Sequence, residues 1–429
     1  MTRTYKLSEA MLVRALKSIP LGSQTFSKSI TQYPRGVSPY FLERGNGSRV
    51  WDVDGNEYID FVNGLAAITL GYNDPDVTEA VKRQLNDGVI FSLAHPIEIQ
   101  VAEKIIEMVP CAEMVRFGKN GSDATAGAIR LARAYTGREH VLVCGYHGWQ
   151  DWYIGSTARY KGVPAAVRAL THAFSYNDLE SLNKRFSELP DQVAAVILEP
   201  MNVAEPKDGF LEKVQAIARE HGTLMIFDET ITGFRYANGG AQEYFGVVPD
   251  LATFGKGVAN GYPLSVLAGR KDIMRLMEEV FFSFTFGGET LSLAAALATM
   301  NKLQLEPILE TLAKRGNALL SGLKSLIRCH DLKDCLDTAG HPAWSFLLIK
   351  DTPRYSQWII RTFLFQEMFA RGILWIGSHN LSYSHSETDI ESLLSVYDET
   401  LGLLRRGLRE ETLESQLRCE PLQPLFRVR

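Results

Sequence analysis

TLMIFDETITGFR, residues 223–235, and DLATFGKGVANGYPLS, residues 250–265, decide how the rest of the chain is read. Leu224 to Phe227 is an unbroken apolar run, too short for a helix, and it reads as a strand buried on both faces. Asp228 therefore emerges at the C-terminal edge of a sheet, where ligands collect in open α/β folds. Lys256 stands at the mouth of the next short strand. Taken singly, each residue has an ordinary explanation. An Asp at a strand end caps the following turn, and a Lys after Gly is commonly a solvated surface charge.

Together the two suggest a pyridoxal phosphate site. A lysine amine can condense with the cofactor aldehyde, and a carboxylate can hold a proton on the pyridine nitrogen, which keeps the ring an electron sink. MVRFGKNGSDATAGAIRLARAYTG, residues 114–137, runs from a short strand through glycines into a helix. Gly121 and Ser122 precede the helical run, so first-turn amides, the helix dipole and the Ser122 hydroxyl can face a phosphate. The competing view is an ordinary N-cap made by Ser122 or Asp123. FGKGV, residues 254–258, has the look of a nucleotide-binding P-loop, but Asp250 stands where its first glycine belongs and Gly257 where a hydroxyl ligand is needed.

GYHGWQDWY, residues 145–153, follows the strand-like VLVC and is too irregular for a strand interior. Tyr146 can lie flat on a heterocycle, a contact worth about 0.5–1.5 kcal/mol beyond burial. His147 beside it counts among the cofactor contacts, while Trp149 and Trp152 read as packing residues. QVAAVILEP, residues 192–200, is a further buried strand ending in a carboxylate, with Asn202 just beyond. Glu199 can reach the cofactor's phenolic oxygen or simply cap the turn forced by Pro200.

GSDA (121–124), YHG (146–148), LEP (198–200), DETITGFR (228–235), TFGK (253–256), FTFGGETLS (284–292) and WDVDGNEYIDF (51–61) resemble, in order and spacing, the class III aminotransferases of pyridoxal phosphate fold type I. The resemblance covers nearly the whole chain. Its strongest form is to the branch related to glutamate semialdehyde aminomutase and to transaminases of sugar or natural-product biosynthesis. It implies that Lys256 is the Schiff-base lysine and proton shuttle, that Asp228 partners the pyridine nitrogen and that Tyr146 stacks on the ring. Gly121 and Ser122 match the phosphate cup. Thr285 matches a threonine that reaches the phosphate of the neighbouring subunit, which implies a homodimer with shared active sites. Glu199 and Asn202 fall on the segment flanking the ring. Thr230 stands where the family usually has an apolar branched residue, so its hydroxyl either tunes the ring or only packs through its methyl. Within GSQTFSKSI (22–30), Lys28 takes the place of an arginine expected in the aminomutase, and Leu65 that of a tryptophan. Only a guanidinium presents a planar fork to a carboxylate, so both differences argue against glutamate semialdehyde as substrate.

The resemblance implies a large, mostly parallel-sheet domain covered by helices plus a smaller α+β domain from both termini. The pattern places the large domain at 64–305, with strands and helices alternating from about Gly64 to Leu303, and the smaller one at 306–429, packed with 1–63. SHNLSYSHSETDIESLLSVYDETLGLLRR, residues 378–406, reads as a loop and then a Ser- or Thr-capped amphipathic helix. His379 and Asn380 in that loop are candidates to line the substrate site or, alternatively, plain surface polarity.

At 429 residues with 45% apolar and 22% charged side chains, composition is that of a globular protein with an ample core. A net charge of −5 leaves no basic excess for nucleic acid. The five cysteines form no CxxC pair and no metal-like cluster with histidine, and His330 beside Cys329 has no second pair to complete a tetrahedron. No apolar run approaches the roughly 18 residues of a membrane span, and no signal-peptide core follows the N-terminal basic residues, so the expected location is the cytoplasm. The expected activity is a ping-pong amino transfer from an amino donor to a small carbonyl acceptor, a sugar or a biosynthetic intermediate. Two alternatives stand beside it: an intramolecular aminomutase, and a cofactor-binding regulator without turnover, against which intact Lys256 and Asp228 count.

Overall fold

Leu224–Asp228 is a strand in which every residue is buried, and Val193–Leu198 beside it is buried along its whole length. Both faces are covered, which is why these runs lack the alternation of a half-exposed strand. They form the middle of a seven-stranded sheet ordered Met114–Gly118, Ser265–Gly269, Leu251–Phe254, Leu224–Asp228, Val193–Leu198, His140–Cys144, Thr171–Ala173. Ser265–Gly269 runs antiparallel to both neighbours, and the pairings from Leu251–Phe254 across to Thr171–Ala173 are parallel. Parallel strands finish on one edge, so Cys144, Leu198, Asp228 and Phe254 end together, with Gly118 brought level through its pairing with Ser265. Chain order reverses between His140–Cys144 and Val193–Leu198, and there an open α/β sheet leaves a crevice at its carboxyl edge.

The helix Gly121–Thr136 lies against these strands. Ala124, Ala128 and Ala132 recur every fourth residue and are buried, so the helix approaches closely and shares a core with Val141, Val143, Ala195, Ile197, Leu224 and Ile226. Each fully buried aliphatic side chain of this kind contributes about 1.5–3 kcal/mol. The helix ends at Gly137, whose φ of 68° is the left-handed conformation that glycine adopts without cost.

The computed structural model describes residues 3–424, which fall into two units, one made of the residues up to Asp74 with those from Glu310 onward, the other of Pro75–Leu309. The first boundary lies beyond 63/64 because residues 64–74 are stitched into the smaller unit. Gly47 and Tyr72 exchange backbone hydrogen bonds of 2.8 and 2.9 Å, and the amides of Tyr383 and Ser384 donate to Thr69 and Leu70. Strand and helix alternation begins only at Met114, since Pro75–Asp87 and Pro96–Met108 are both helices.

In the smaller unit, Leu42–Asn46, Arg49–Asp52, Glu57–Asp60 and Ile373–Leu374 form one sheet, with the C-terminal strand lying parallel to Glu57–Asp60. A second sheet is ordered Leu336–His341, Trp344–Ile349, Ser378–Asn380. Residues 378–380, expected to be loop, are thus a strand. Their polarity misleads because most of it is met inside the protein: the His379 ring lies between Ser345 Oγ at 3.1 Å and Tyr397 OH at 2.7 Å, and Asn380 Nδ2 donates to Val62 O at 2.7 Å, while Asn380 Oδ1 has no hydrogen-bond partner among the described residues. Burial pushes the His379 imidazole down to about 3. The helix that follows, Glu387–Arg409, begins at a Ser386 cap as its sequence indicates.

In the larger unit the turn after Asp228 hangs on the buried Glu229 carboxylate. It accepts from Thr232 Oγ1 at 2.9 Å, from Gln242 N and Nε2 at 3.1 Å each, and from the Ala241 amide. Glu229→Ala strands these donors inside the protein and is expected to lower the unfolding free energy by about 2–4 kcal/mol, with Glu229→Gln recovering part of the loss. Denaturant unfolding of the three proteins measures this, and coincident midpoints would show that the turn is held by something else.

Candidate active site

Asp228 ends its strand buried, and each carboxylate oxygen has its own partners. Oδ2 lies 2.9 Å from His147 Nδ1. Oδ1 accepts from Thr230 Oγ1 at 2.6 Å, from the Thr230 amide at 3.1 Å and from Thr253 Oγ1 at 3.2 Å. Burial alone would push this carboxyl up; the hydrogen bond and charge of His147, with the two bonds from Thr230, outweigh it and hold the group below its ordinary value. His147 is itself buried, parallel to the Trp152 ring and edge-on to Tyr153, and its Nε2 has no hydrogen-bond partner among the described residues.

Lys256 opens a short turn with φ of 43°, a left-handed conformation that costs a non-glycine residue about 1–3 kcal/mol and is typical of strained functional positions. Burial brings its amine below the ordinary lysine value, while the charges of Asp228 and Glu199 pull the other way. Glu199, one residue past its strand, accepts the Tyr146 amide at 3.1 Å and Asn202 Nδ2 at 3.0 Å. Burial first, and then the Asp228 charge, push the Glu199 carboxyl up. Two nearby acids are thus driven in opposite directions by their surroundings, an arrangement common where acid and base roles are divided.

The glycine-rich turn and the aromatic loop are sewn together. Ser122 Oγ accepts the Trp149 amide at 3.2 Å, and Thr125 Oγ1 donates to His147 O at 2.9 Å. Gly148 has φ of 103°, and a Cβ there would fall 2.2 Å from Ser122 Oγ. The N-cap of the helix is Asn120, with the Asp123 carboxylate folded back onto the amides of Lys119 and Asn120, so Ser122 is not the cap. Tyr146 is half exposed and meets Tyr153 edge-on, leaving a broad ring face available. Trp152 is buried, but Trp149, expected to pack, is 65% exposed.

One sheet edge therefore gathers Gly121, Ser122, Tyr146, His147, Glu199, Asn202, Asp228, Thr230 and Lys256. Thr285 is exposed beside the exposed Phe284 and Phe286, and among the described residues no hydrogen bond ties it to this network. Lys28 and Leu65 belong to the other unit. Lys28 lies exposed at a cavity of about 430 Å³ lined also by Tyr33, Asp60 and Tyr72, and Leu65 has φ of 65° in the turn Asn63–Ala66. His379 and Asn380 are buried in that unit's strand. Thr253 was missed from the sequence; the signal was its register, since it pairs directly with Asp228 on the neighbouring strand. Among the described residues no group of three or more His, Cys, Asp or Glu is placed to hold a metal. The gathered groups are of the kinds that pyridoxal phosphate requires: an ionised acid, an amine shifted toward neutrality, a helix start for a phosphate and an open aromatic face.

The sequence profile described as Aminotransferase class-III matches residues 32–335. The chain is 33% identical over 419 residues to a 3-aminobutyryl-CoA aminotransferase of Cloacimonas acidaminovorans (strain Evry), covering 95% of this chain and 100% of that protein. It is 34% identical over 435 residues to a glutamate-1-semialdehyde 2,1-aminomutase of Alkaliphilus oremlandii (strain OhILAs), covering 94% and 100%. Among solved structures, the FumI protein of Sphingopyxis sp. MTA144 in its PLP internal aldimine form superposes with a TM-score of 0.87 at 30% identity, over 94% of this chain and 97% of that one. An omega-transaminase from Sphaerobacter thermophilus gives 0.84 at 27%, over 94% and 99%.

Because the Asp228 carboxyl is held below its ordinary value, its contribution to stability is present above the ordinary carboxylate range and is lost as pH falls through the lowered value. His147→Phe removes the bond to Oδ2 and is expected to cost about 1.5–3 kcal/mol at neutral pH, with the gap to wild type narrowing in acid. Urea unfolding of the cofactor-free proteins across that range measures it; a constant difference at every pH would mean that His147 contributes packing alone.

Proposed function

The chain belongs to the class III aminotransferases and works with pyridoxal 5′-phosphate, and from that premise we propose that it moves an amino group from an amino donor to a small carbonyl acceptor in two ping-pong half-reactions. The observation that carries this reading is the meeting, at one sheet edge, of an acid held ionised and a lysine amine lowered by burial. When bound, the cofactor supplies an aldehyde that condenses with amines and a ring that accepts an electron pair. Asp228 holds a proton donor against its fixed carboxylate, which Thr230, Thr253 and His147 keep in one orientation. Lys256 Nζ is the base that takes a proton from the substrate carbon and returns it; an ordinary lysine with pKa about 10.4 is a poor base near neutrality, and burial corrects this. Gly121 and Ser122 bind the phosphate at the helix start, and Tyr146 covers the ring and excludes water. Glu199 and Asn202 hold the Tyr146 segment in place.

We place Thr285 at the cofactor phosphate of a second copy in a homodimer. Its support is the apolar surface around it: Phe281 and Phe286 are 81% and 56% exposed, a cost that association removes. A reducing, cytoplasmic setting suits five free cysteines, three of them buried. The acceptor class we favour is a keto sugar or a biosynthetic aldehyde. A shift of the amino group within one molecule is the second reading, favoured by the aminomutase of Alkaliphilus oremlandii; Lys28 and Leu65 in place of the arginine and tryptophan expected there favour transfer between molecules.

Borohydride treatment of protein supplied with pyridoxal phosphate, followed by peptide mass analysis, should find the reduced adduct on Lys256, and Lys256→Ala should lose it together with turnover. An adduct elsewhere refutes the assignment. Release of a keto acid from the donor when donor and acceptor are mixed supports transfer, whereas isomerisation without added donor supports the mutase. A bound cofactor whose spectrum ignores every added amine would make the chain a regulator.

A further inference from the structure

Thr230 touches three parts of the site at once. Its hydroxyl donates to Asp228 Oδ1 at 2.6 Å and its amide to the same oxygen at 3.1 Å. The γ-methyl lies 3.0 Å, and the hydroxyl oxygen 3.2 Å, from the point that a Cβ on Gly121 would occupy, and the γ-methyl alone lies 3.3 Å from the corresponding point on Gly255. Gly121 opens the helix Gly121–Thr136, and Gly255 immediately precedes Lys256. Neither glycine needs a left-handed backbone: Gly255 has φ of −173°, and Gly121 is not among the positive-φ glycines. What these positions share is a lack of room, and the group that takes the room is Thr230.

We propose that Thr230 is a positioning residue that fixes the Asp228 carboxylate through its hydroxyl while its methyl sets the spacing between the helix start and the lysine turn. The inference rests on reading this sheet edge as the cofactor site. A valine of the same shape would keep the spacer and lose the clamp; a serine would keep the clamp and lose the methyl, which comes nearest to Gly121 and alone reaches Gly255. Without the hydroxyl, Oδ1 retains, among the described residues, the Thr230 amide and Thr253 Oγ1. The titratable groups that face or sense Asp228 are His147 at Oδ2, Lys256, Glu199, Tyr146 and Tyr153. Glu199 is the other acid among them, and burial followed by the Asp228 charge pushes its carboxyl up, so it leaves the anion to Asp228. Burial pushes the Asp228 carboxyl up, and the donors, His147 ahead of Thr230, bring it down. Cofactor binding that depends on ionised Asp228 therefore persists above the ordinary carboxylate range and fails as pH falls, and loss of the Thr230 hydroxyl moves that failure to higher pH.

The test measures the equilibrium dissociation constant of pyridoxal phosphate against pH for the full-length wild type, Thr230→Val and Thr230→Ser, with thermal unfolding of each cofactor-free protein as control. Thr230→Val is expected to bind roughly tenfold more weakly in mild acid, the worth of one hydrogen bond to a charged group, with its acid limb displaced upward. Thr230→Ser should keep the wild-type acid limb and lose a smaller, pH-independent factor. Parallel curves for wild type and Thr230→Val overturn the proposal, since a residue that merely packs weakens binding equally at every pH. Should Thr230→Val fail to fold, Thr230→Ala removes the same hydroxyl without added bulk, and an unmoved acid limb there refutes the clamp. Wild type that binds no cofactor at Lys256 refutes instead the reading of the site.

Discussion

An ionised carboxylate at the end of a buried strand is the constraint around which the larger unit is arranged. Removing such a charge from water costs several kcal/mol unless it is paired and fully hydrogen-bonded. Asp228 meets that demand with four contacts drawn from three stretches of chain: its own turn, the next strand and the aromatic loop. Parallel pairing does much of the work. It sets Thr253 opposite Asp228 without any special loop, and it brings the ends of the flanking strands to the same edge, so that the groups following them converge.

Around that fixed charge the other ionisable groups are sorted. Glu199 lies near enough to sense Asp228 and is driven toward its protonated form, while Asp228, richer in donors, remains the anion. Lys256 is lowered by burial yet kept from falling further by both acids. The balance holds the amine below a surface lysine, which is already protonated near neutral pH and so has no free pair to take a proton, and above a buried lysine with no acid nearby. Backbone strain contributes as well: Lys256 is held left-handed between Gly255 and Gly257, and this conformation directs its side chain differently from that of a residue continuing the strand.

Much of this was legible in the sequence because it follows from local pattern. Leu224 to Phe227 is apolar without alternation, and the lysine and glycine turns follow their strands at short range. What escaped the sequence depends on partners far apart in the chain. His147 and Asp228 meet across 81 residues, and nothing local to YHG marks its histidine as the partner of the acid. For Ser122 the sequence left a phosphate contact and a helix cap by Ser122 or Asp123 side by side; Asn120 and Asp123 close the helix start, and Ser122 Oγ accepts the Trp149 amide. His379 and Asn380 read as substrate-site candidates or as loop polarity, and only the pairing of Ser378–Asn380 with Trp344–Ile349 shows that they are buried, with both His379 nitrogens and Asn380 Nδ2 bonded inside. Pattern locates elements and their ends; it does not say which distant polar groups will satisfy one another.

The relatives sharpen where substrate choice must reside. A transferase and a mutase stand at nearly the same distance in sequence from this chain, so the groups that hold and activate a pyridoxal cofactor do not by themselves separate the two outcomes. A transferase and a mutase differ in whether the amino group passes between two molecules or moves within one, and that depends on contacts to the rest of the substrate. Within the larger unit the Asp228 network is closed by its own side chains. Discrimination therefore falls to contacts with parts of the substrate that this network does not touch.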